Sequence, residues 1–130
     1  MTLEKVNILL ANCLDTGAGL QMQTIIYILW DTWIRASEVC NLKLEHINLE
    51  ERQFSVLTKG SNWEIKSFTQ PTVEKLNKWI HELNKTAGKD CRTLFCNTVT
   101  GKPLTRDGLR GNFNRLGKRS GIKVSPHDFQ

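Results

Sequence analysis

Arg35 is the first residue in the chain whose neighbours suggest chemistry. It stands in Asp31-Thr32-Trp33-Ile34-Arg35-Ala36-Ser37-Glu38-Val39-Cys40-Asn41-Leu42, directly after an apolar run from Ile25 to Trp30. An arginine fixed at the junction of two packed segments presents a planar fork of donors whose geometry suits a phosphate. Glu38 falls three residues on, in the first turn of a short helix that Ser37 can cap, where the helix dipole favours a carboxylate. On these residues alone a structural Arg–Glu pair is the simpler reading.

The distribution of charge adds a second signal. Between Gly101 and Ser125 stand Lys102, Arg106, Arg110, Arg115, Lys118, Arg119 and Lys123 against Asp107 alone, whereas the rest of the chain carries 11 basic and 12 acidic residues. The net charge of +5 and the pI of 9.2 therefore come from one stretch. Such a stretch faces either a polyanion or, in the plainer case, only water.

The elements that must position these groups can be read from apolar spacing. Leu3, Val6, Leu9 and Leu10 follow a helical period with Thr2 as cap, and residues 15–19 predict a break. From Leu20 to Trp33 apolar residues occupy every face, which predicts a central helix surrounded on all sides, with Tyr27 as core. After a short helix over Ser37 to Leu44 the period becomes alternating. Ile47-Asn48-Leu49, Phe54-Ser55-Val56 and Trp63-Glu64-Ile65, separated by turns, predict a three-stranded antiparallel sheet between about residues 47 and 68. Lys59 then sits at the tip of the second hairpin. Pro71 opens an amphipathic helix on Val73, Leu76, Ile80 and Leu83 that ends near Gly88, with His81 at the surface. Thr105 caps a helix that turns Leu109, Phe113 and Leu116 inward, leaves Arg106, Arg110 and Arg115 on its rim and stops at Gly121. The fold class expected is α+β, mostly α, in one domain of 130 residues.

Other classes are disfavoured. No apolar run is long enough to cross a bilayer, and the first residues lack a signal-peptide pattern. The four cysteines form no CxxC pair, so free thiols in a reducing cytoplasm are expected, with a zinc site on Cys91, Cys96 and a histidine as a poor alternative.

Residues 32–42 resemble the first arginine motif of the tyrosine recombinases, the phage integrase family, which reads Thr-Gly-aliphatic-Arg-x-Ser-Glu-aliphatic-x-x-Leu. Trp33 stands where that family usually has glycine. Lys59, 24 positions after Arg35, matches the hairpin lysine of the family. Leu94-Phe95, Gly101-Lys102-Pro103-Leu104 and the basic helix follow in the family's order, and Pro126-His127-Asp128 matches its HxxR motif, with Gln130 in place of the second arginine. The resemblance covers the chain end to end.

This resemblance implies a mechanism for the complete site. A tyrosine attacks the scissile DNA phosphate to give a 3′-phosphotyrosine and a free 5′-hydroxyl, and reversal joins a new strand. Arg35 would clamp the phosphate, Lys59 would protonate the leaving 5′ oxygen, His127 would act as acid/base or phosphate ligand, and Glu38 would orient. Arg106, Arg110, Arg115, Lys118 and Arg119 would bind the DNA backbone. The chemistry calls for no metal or other cofactor, and the partners implied are double-stranded DNA and other recombinase subunits. The single tyrosine, Tyr27, is not in the family's nucleophile position. The expectation is therefore a catalytic domain of a bacterial, phage or mobile-element protein that lacks its C-terminal part and the N-terminal core-binding domain, and that binds DNA without cutting it. A non-catalytic DNA- or recombinase-binding module derived from an integrase is the alternative.

Overall fold

The apolar run preceding Arg35 forms the axis of the molecule. In the computed structural model, which describes residues 1–86 and 93–130, helix α1 (Leu3–Ala11) leads into helix α2 (Gly17–Thr32). The predicted break over residues 15–19 is shorter than expected, because the Thr16 hydroxyl accepts from the Gly19 N–H at 3.1 Å and starts α2 at Gly17. A Cβ on Gly19 would lie 1.7 Å from the Leu14 carbonyl oxygen, so glycine here serves close backbone approach. Ile25, Ile26, Ile28 and Leu29 are fully buried. Tyr27 and Trp30 are only half-buried, so α2 is less completely enclosed than its all-round apolarity predicts.

Helix α4 (Gln70–Thr86) packs along α2. One carboxylate joins them: Asp31 Oδ2, near the end of α2, accepts from the Thr69 N–H at 2.8 Å, the Thr69 hydroxyl at 2.8 Å and the Thr72 hydroxyl at 2.6 Å. A negative charge at the start of α4 meets the positive end of its dipole. Further along, Lys75 Nζ donates to the Gln23 side chain at 2.8 Å. Val73, Leu76, Trp79 and Leu83 are buried, and the Trp79 indole N–H donates to the Leu94 carbonyl at 2.8 Å. The predicted end of this helix near Gly88 lies outside the described residues.

Between α2 and α4 come the short helix α3 (Ala36–Cys40) and a sheet of β1 (Ile47–Asn48), β2 (Gln53–Leu57) and β3 (Trp63–Ser67), antiparallel in the order β1-β2-β3. Phe54 and Val56 face the core and pair with Lys66 and Glu64. Cross-strand partners share a face, so Lys66 and Glu64 take the inner side of β3, while Trp63 (56% exposed) and Ile65 (66%) face out. Alternation alone predicts the reverse for an apolar–polar–apolar strand. The difference arises because β3 is an edge strand whose phase is set by pairing with β2.

The remaining chain returns to the axis. Leu94, Phe95 and Cys96 are buried, and the Gln21 side chain grips both the N–H and the carbonyl of Cys96 at 2.9 Å. Helix α5 (Arg106–Ser120) is capped by the Thr105 hydroxyl, which accepts from the Gly108 N–H at 3.0 Å, and buries Leu109, Phe113 and Leu116. Gly121, at φ 70°, reverses the chain, and a one-turn helix over Pro126–Phe129 packs back with the Phe129 ring 5.9 Å from that of Phe113.

Removing the Asp31 carboxylate leaves the α4 terminus and two hydroxyls without their shared acceptor. Asp31→Ala is expected to destabilise the protein by about 2 kcal/mol, the size of a charged cap. Asp31→Asn, which keeps an acceptor, should lose less, and urea unfolding of the two variants checks the order.

Candidate nucleic-acid interface

Arg35 owes its position to how α2 ends. Trp33 caps α2 in the left-handed conformation (φ 57°, ψ 26°), with its N–H donating to the Leu29 carbonyl at 2.9 Å. For a residue with a side chain this conformation costs about 1–2 kcal/mol, and it is where glycine fits best. It throws the indole outward, 68% exposed, and drives Ile34 into the core at 2%. Arg35 follows in extended conformation as the N-cap residue of α3. The cap differs from the expected one: Ser37 lies inside the helix, and Glu38 Oε1 accepts from the Arg35 backbone N–H at 2.7 Å. Glu38 thus holds the Arg35 backbone. Among the described residues no ion pair joins the two side chains, and the guanidinium is exposed and free to meet a ligand.

Lys59 stands at the tip of the β2–β3 hairpin. The turn is stapled by the Thr58 N–H and hydroxyl, both donating to the Asn62 carbonyl at 2.8 and 2.9 Å, and by the Ser61 N–H donating to the Thr58 carbonyl at 3.1 Å. His127 is placed by the reversal after α5. The Ile122 N–H donates to the Gly117 carbonyl at 3.0 Å, and a Cβ on Gly117 would meet the Ile122 carbonyl oxygen at 2.4 Å, so glycine allows the turn to lie on the helix. Asp128 Oδ2 then accepts from the Ser125 N–H at 2.8 Å and fixes the one-turn helix that carries His127.

These three distant pieces meet. A cleft of about 640 Å³ is lined by Arg35, Ser37, Lys59, Arg106, Arg110, Ser125, His127 and Gln130, with Ala36 and Pro126 completing its wall. Its lining holds four permanent cations, one histidine and no carboxylate. A second lobe of about 480 Å³ shares Arg35, Lys59 and Gln130 with it and adds Trp33, Ile34, Glu38, Thr58, Glu64 and Lys66. Glu64 and Lys66 form an ion pair at 3.3 Å.

The basic rim of α5 divides. Arg106 and Arg110 line the cleft, but Arg115 and Arg119 border a separate hollow beside Leu14, Ala18 and Met22. Nine positions separate Arg106 from Arg115, which at about 3.6 residues per turn puts them on opposite sides of the helix. Arg115 bonds the Asn112 side chain, Arg119 Nε donates to the Asn12 carbonyl at 3.4 Å, and Lys118 is exposed. Lys66 and Ser125 reach the site without being picked out from the sequence. Counting alternate positions along β3 from its pairing with β2 would have found Lys66, whereas nothing local distinguishes Ser125.

Cys40 is buried at the end of α3. Burial pushes its thiol up from 9.0 to about 11, with the Arg106 charge pulling the other way, and burial likewise raises Cys13 to about 11 against Arg119 and Lys75. Cys40 and Cys13 are free thiols, while Cys91 of the considered zinc alternative lies outside the described residues. Both folded and unfolded Cys40 hold their proton below about pH 9, so stability is intact there and declines as pH rises from about 9 to about 11. At pH 8 the thiolate fraction of Cys40 and Cys13 is roughly a hundredfold below that of a free cysteine. Site-resolved iodoacetamide labelling should therefore be slow at both in native protein and fast in urea.

The phage integrase family pattern matches residues 1–130. The tyrosine recombinase XerC of Anoxybacillus flavithermus is 31% identical over 98% of this chain and 44% of its own length. XerC of Proteus mirabilis is 26% identical over 100% of this chain and 43% of its own. The chain thus spans less than half the length of these curated relatives. Among solved structures, XerA recombinase is similar in fold with a TM-score of 0.85, at 23% identity over 99% of this chain and 46% of that one. XerH recombinase bound to its difH substrate follows with a TM-score of 0.79, at 21% identity over 99% of this chain and 39% of that one.

Proposed function

The chain belongs to the phage integrase family, and from that membership we propose that its cleft holds a phosphodiester of double-stranded DNA for strand cleavage and rejoining by a tyrosine recombinase. The observation that carries this reading is the composition of the cleft: Arg35, Lys59, Arg106, Arg110 and His127 together, with no carboxylate among the lining residues. Four cations around one cavity repel each other unless an anion enters, and guanidinium forks match phosphate oxygens.

Each group has a physical task. Arg35 neutralises charge on a non-bridging oxygen, Lys59 delivers a proton to the leaving 5′ oxygen, and His127 binds the phosphate or moves a proton. Preorganised charge of this kind acts where charge develops in the transition state. Glu38 acts through Arg35 by fixing its backbone. Gln130 lines the same cleft and offers an amide without charge. Arg106 and Arg110 supply the positive charge that Gln130 does not. Lys118, and Arg115 and Arg119 on the far side of α5, would touch DNA only where the duplex passes beyond the cleft. The fold likeness to a recombinase solved with its DNA substrate supports the same partner.

Cutting is a separate matter. Tyr27, the one tyrosine of the sequence, is half-buried with Lys75 Nζ 5.8 Å from its ring centre, and it does not line the cleft. These 130 residues alone therefore hold a phosphate without attacking it. The module reading is favoured by Gln130 alone, and a duplex with a 5′-bridging phosphorothiolate distinguishes the two once a tyrosine-bearing segment is supplied.

Two measurements test this. Anisotropy titrations of a labelled duplex should give affinity that falls with salt by about 0.9 log units per log unit for each phosphate neutralised. Arg35→Ala and Arg110→Ala should each lower that slope by about 1, and Arg115→Ala by less. A slope unaffected by Arg110→Ala, or equally affected by Arg115→Ala, would overturn the cleft as the binding face. In the second, a suicide duplex with a 5′-bridging phosphorothiolate is incubated with the 130-residue chain and run on a denaturing gel. No covalent band is expected, and one that vanishes with Tyr27→Phe would show Tyr27 to be the nucleophile.

A further inference from the structure

The second lobe of the cleft has a chemistry of its own. It meets the phosphate lobe at Arg35, Lys59 and Gln130, so a ligand whose phosphate sits at those three residues extends into a space edged by Trp33, Lys66 and Glu64. Trp33 is 68% exposed, and among the described residues its indole has neither a ring contact nor a hydrogen-bond partner. It is nonetheless held at φ 57°, a conformation unfavourable for any residue with a Cβ. The turn itself serves the fold by capping α2 and sending Ile34 inward, but a glycine would make it without strain, so the exposed indole adds nothing to folding. Strain of this kind at the edge of a binding cleft points to use by a ligand.

We propose that Trp33 is a binding residue that stacks on an unpaired nucleobase of the DNA strand whose phosphate lies at Arg35 and Lys59. An indole beside cations is the arrangement that holds single-stranded nucleic acid, because bases stack on the aromatic face while the charges follow the backbone. Lys66 lies on the inner side of β3 facing the lobe and supplies the neighbouring charge, and the Glu64 carboxylate beside it accepts hydrogen bonds from an exocyclic amine. A fully paired duplex keeps its bases stacked on one another and cannot fill the lobe. The lobe therefore selects a nucleotide that has frayed or been unpaired next to the bound phosphate. This inference rests on the DNA reading above and assigns it a preference that phosphate binding alone does not produce.

The test compares three labelled duplexes: one blunt, one with a four-nucleotide single-stranded overhang, and one whose overhang carries the same phosphates on abasic sugars. The wild-type chain should bind the base-containing overhang about tenfold more tightly than the abasic one, the effect of one aromatic stack. Trp33→Phe should keep most of that ratio. Trp33→Gly should bring it to about 1, and its fold should be at least as stable because glycine suits φ 57°. Trp33→Asn, which also tolerates this conformation, serves if the glycine variant unfolds. A wild-type ratio near 1, or a preference that survives both substitutions, would overturn the proposal while blunt-duplex binding stands. Absence of any salt-dependent binding to the three duplexes would instead remove the DNA reading on which it rests.

Discussion

One carboxylate ties the two long helices whose junction sets the site. Asp31 accepts three hydrogen bonds from Thr69 and Thr72 across 38 to 41 positions of sequence, and so fixes the end of α2 to the start of α4. Everything placed by that end depends on it. Two residues later the chain turns left-handed at Trp33, Ile34 plugs the core, and Arg35 emerges at the cap of α3. Without a fixed helix end, the guanidinium would be a mobile surface charge. With it, Arg35 has a defined origin from which its fork can meet groups contributed by other parts of the chain.

Those other parts are placed by local devices that converge only in three dimensions. A hairpin stapled by Thr58 and Asn62 brings Lys59, and a glycine reversal after α5 brings His127 and Gln130. The first turns of α5 bring Arg106 and Arg110 to the same wall. Packing so much like charge around one cavity is unfavourable for the empty protein, and exposure to water keeps that penalty modest. The apolar core beneath, from Leu9 through α2 to Leu116, supplies the stability against which it is set.

Much of this was legible in the sequence where the signal is local. The Thr2 and Thr105 caps, the Gly121 stop, the three strands and the inward set of α5 follow from turn chemistry and period. Long-range and strained features were not legible. Nothing near Asp31 announces Thr69 as its partner, and a tryptophan gives no hint of a left-handed backbone that a glycine would have advertised. The outward turn of Trp63 and Ile65 depends on pairing with β2, which overrides the apolar pattern of an edge strand. Arg35, Lys59 and His127 could be grouped beforehand only through family resemblance, because their spacing in the chain has no local meaning. The separation of Arg106 and Arg110 from Arg115 was available in the helical period alone.

The central claim is that the anion-binding face is the cleft shared by Arg35, Lys59, Arg110 and His127. A titration of isotope-labelled protein with a short duplex at low salt, followed by amide and side-chain NMR shifts, addresses it residue by residue. The account predicts that the largest changes fall on Arg35, Ser37, Lys59, Arg110 and His127, with Arg115 and Arg119 little affected. Shifts centred on Arg115, Lys118 and Arg119, with Arg35 and Lys59 unchanged, would contradict it.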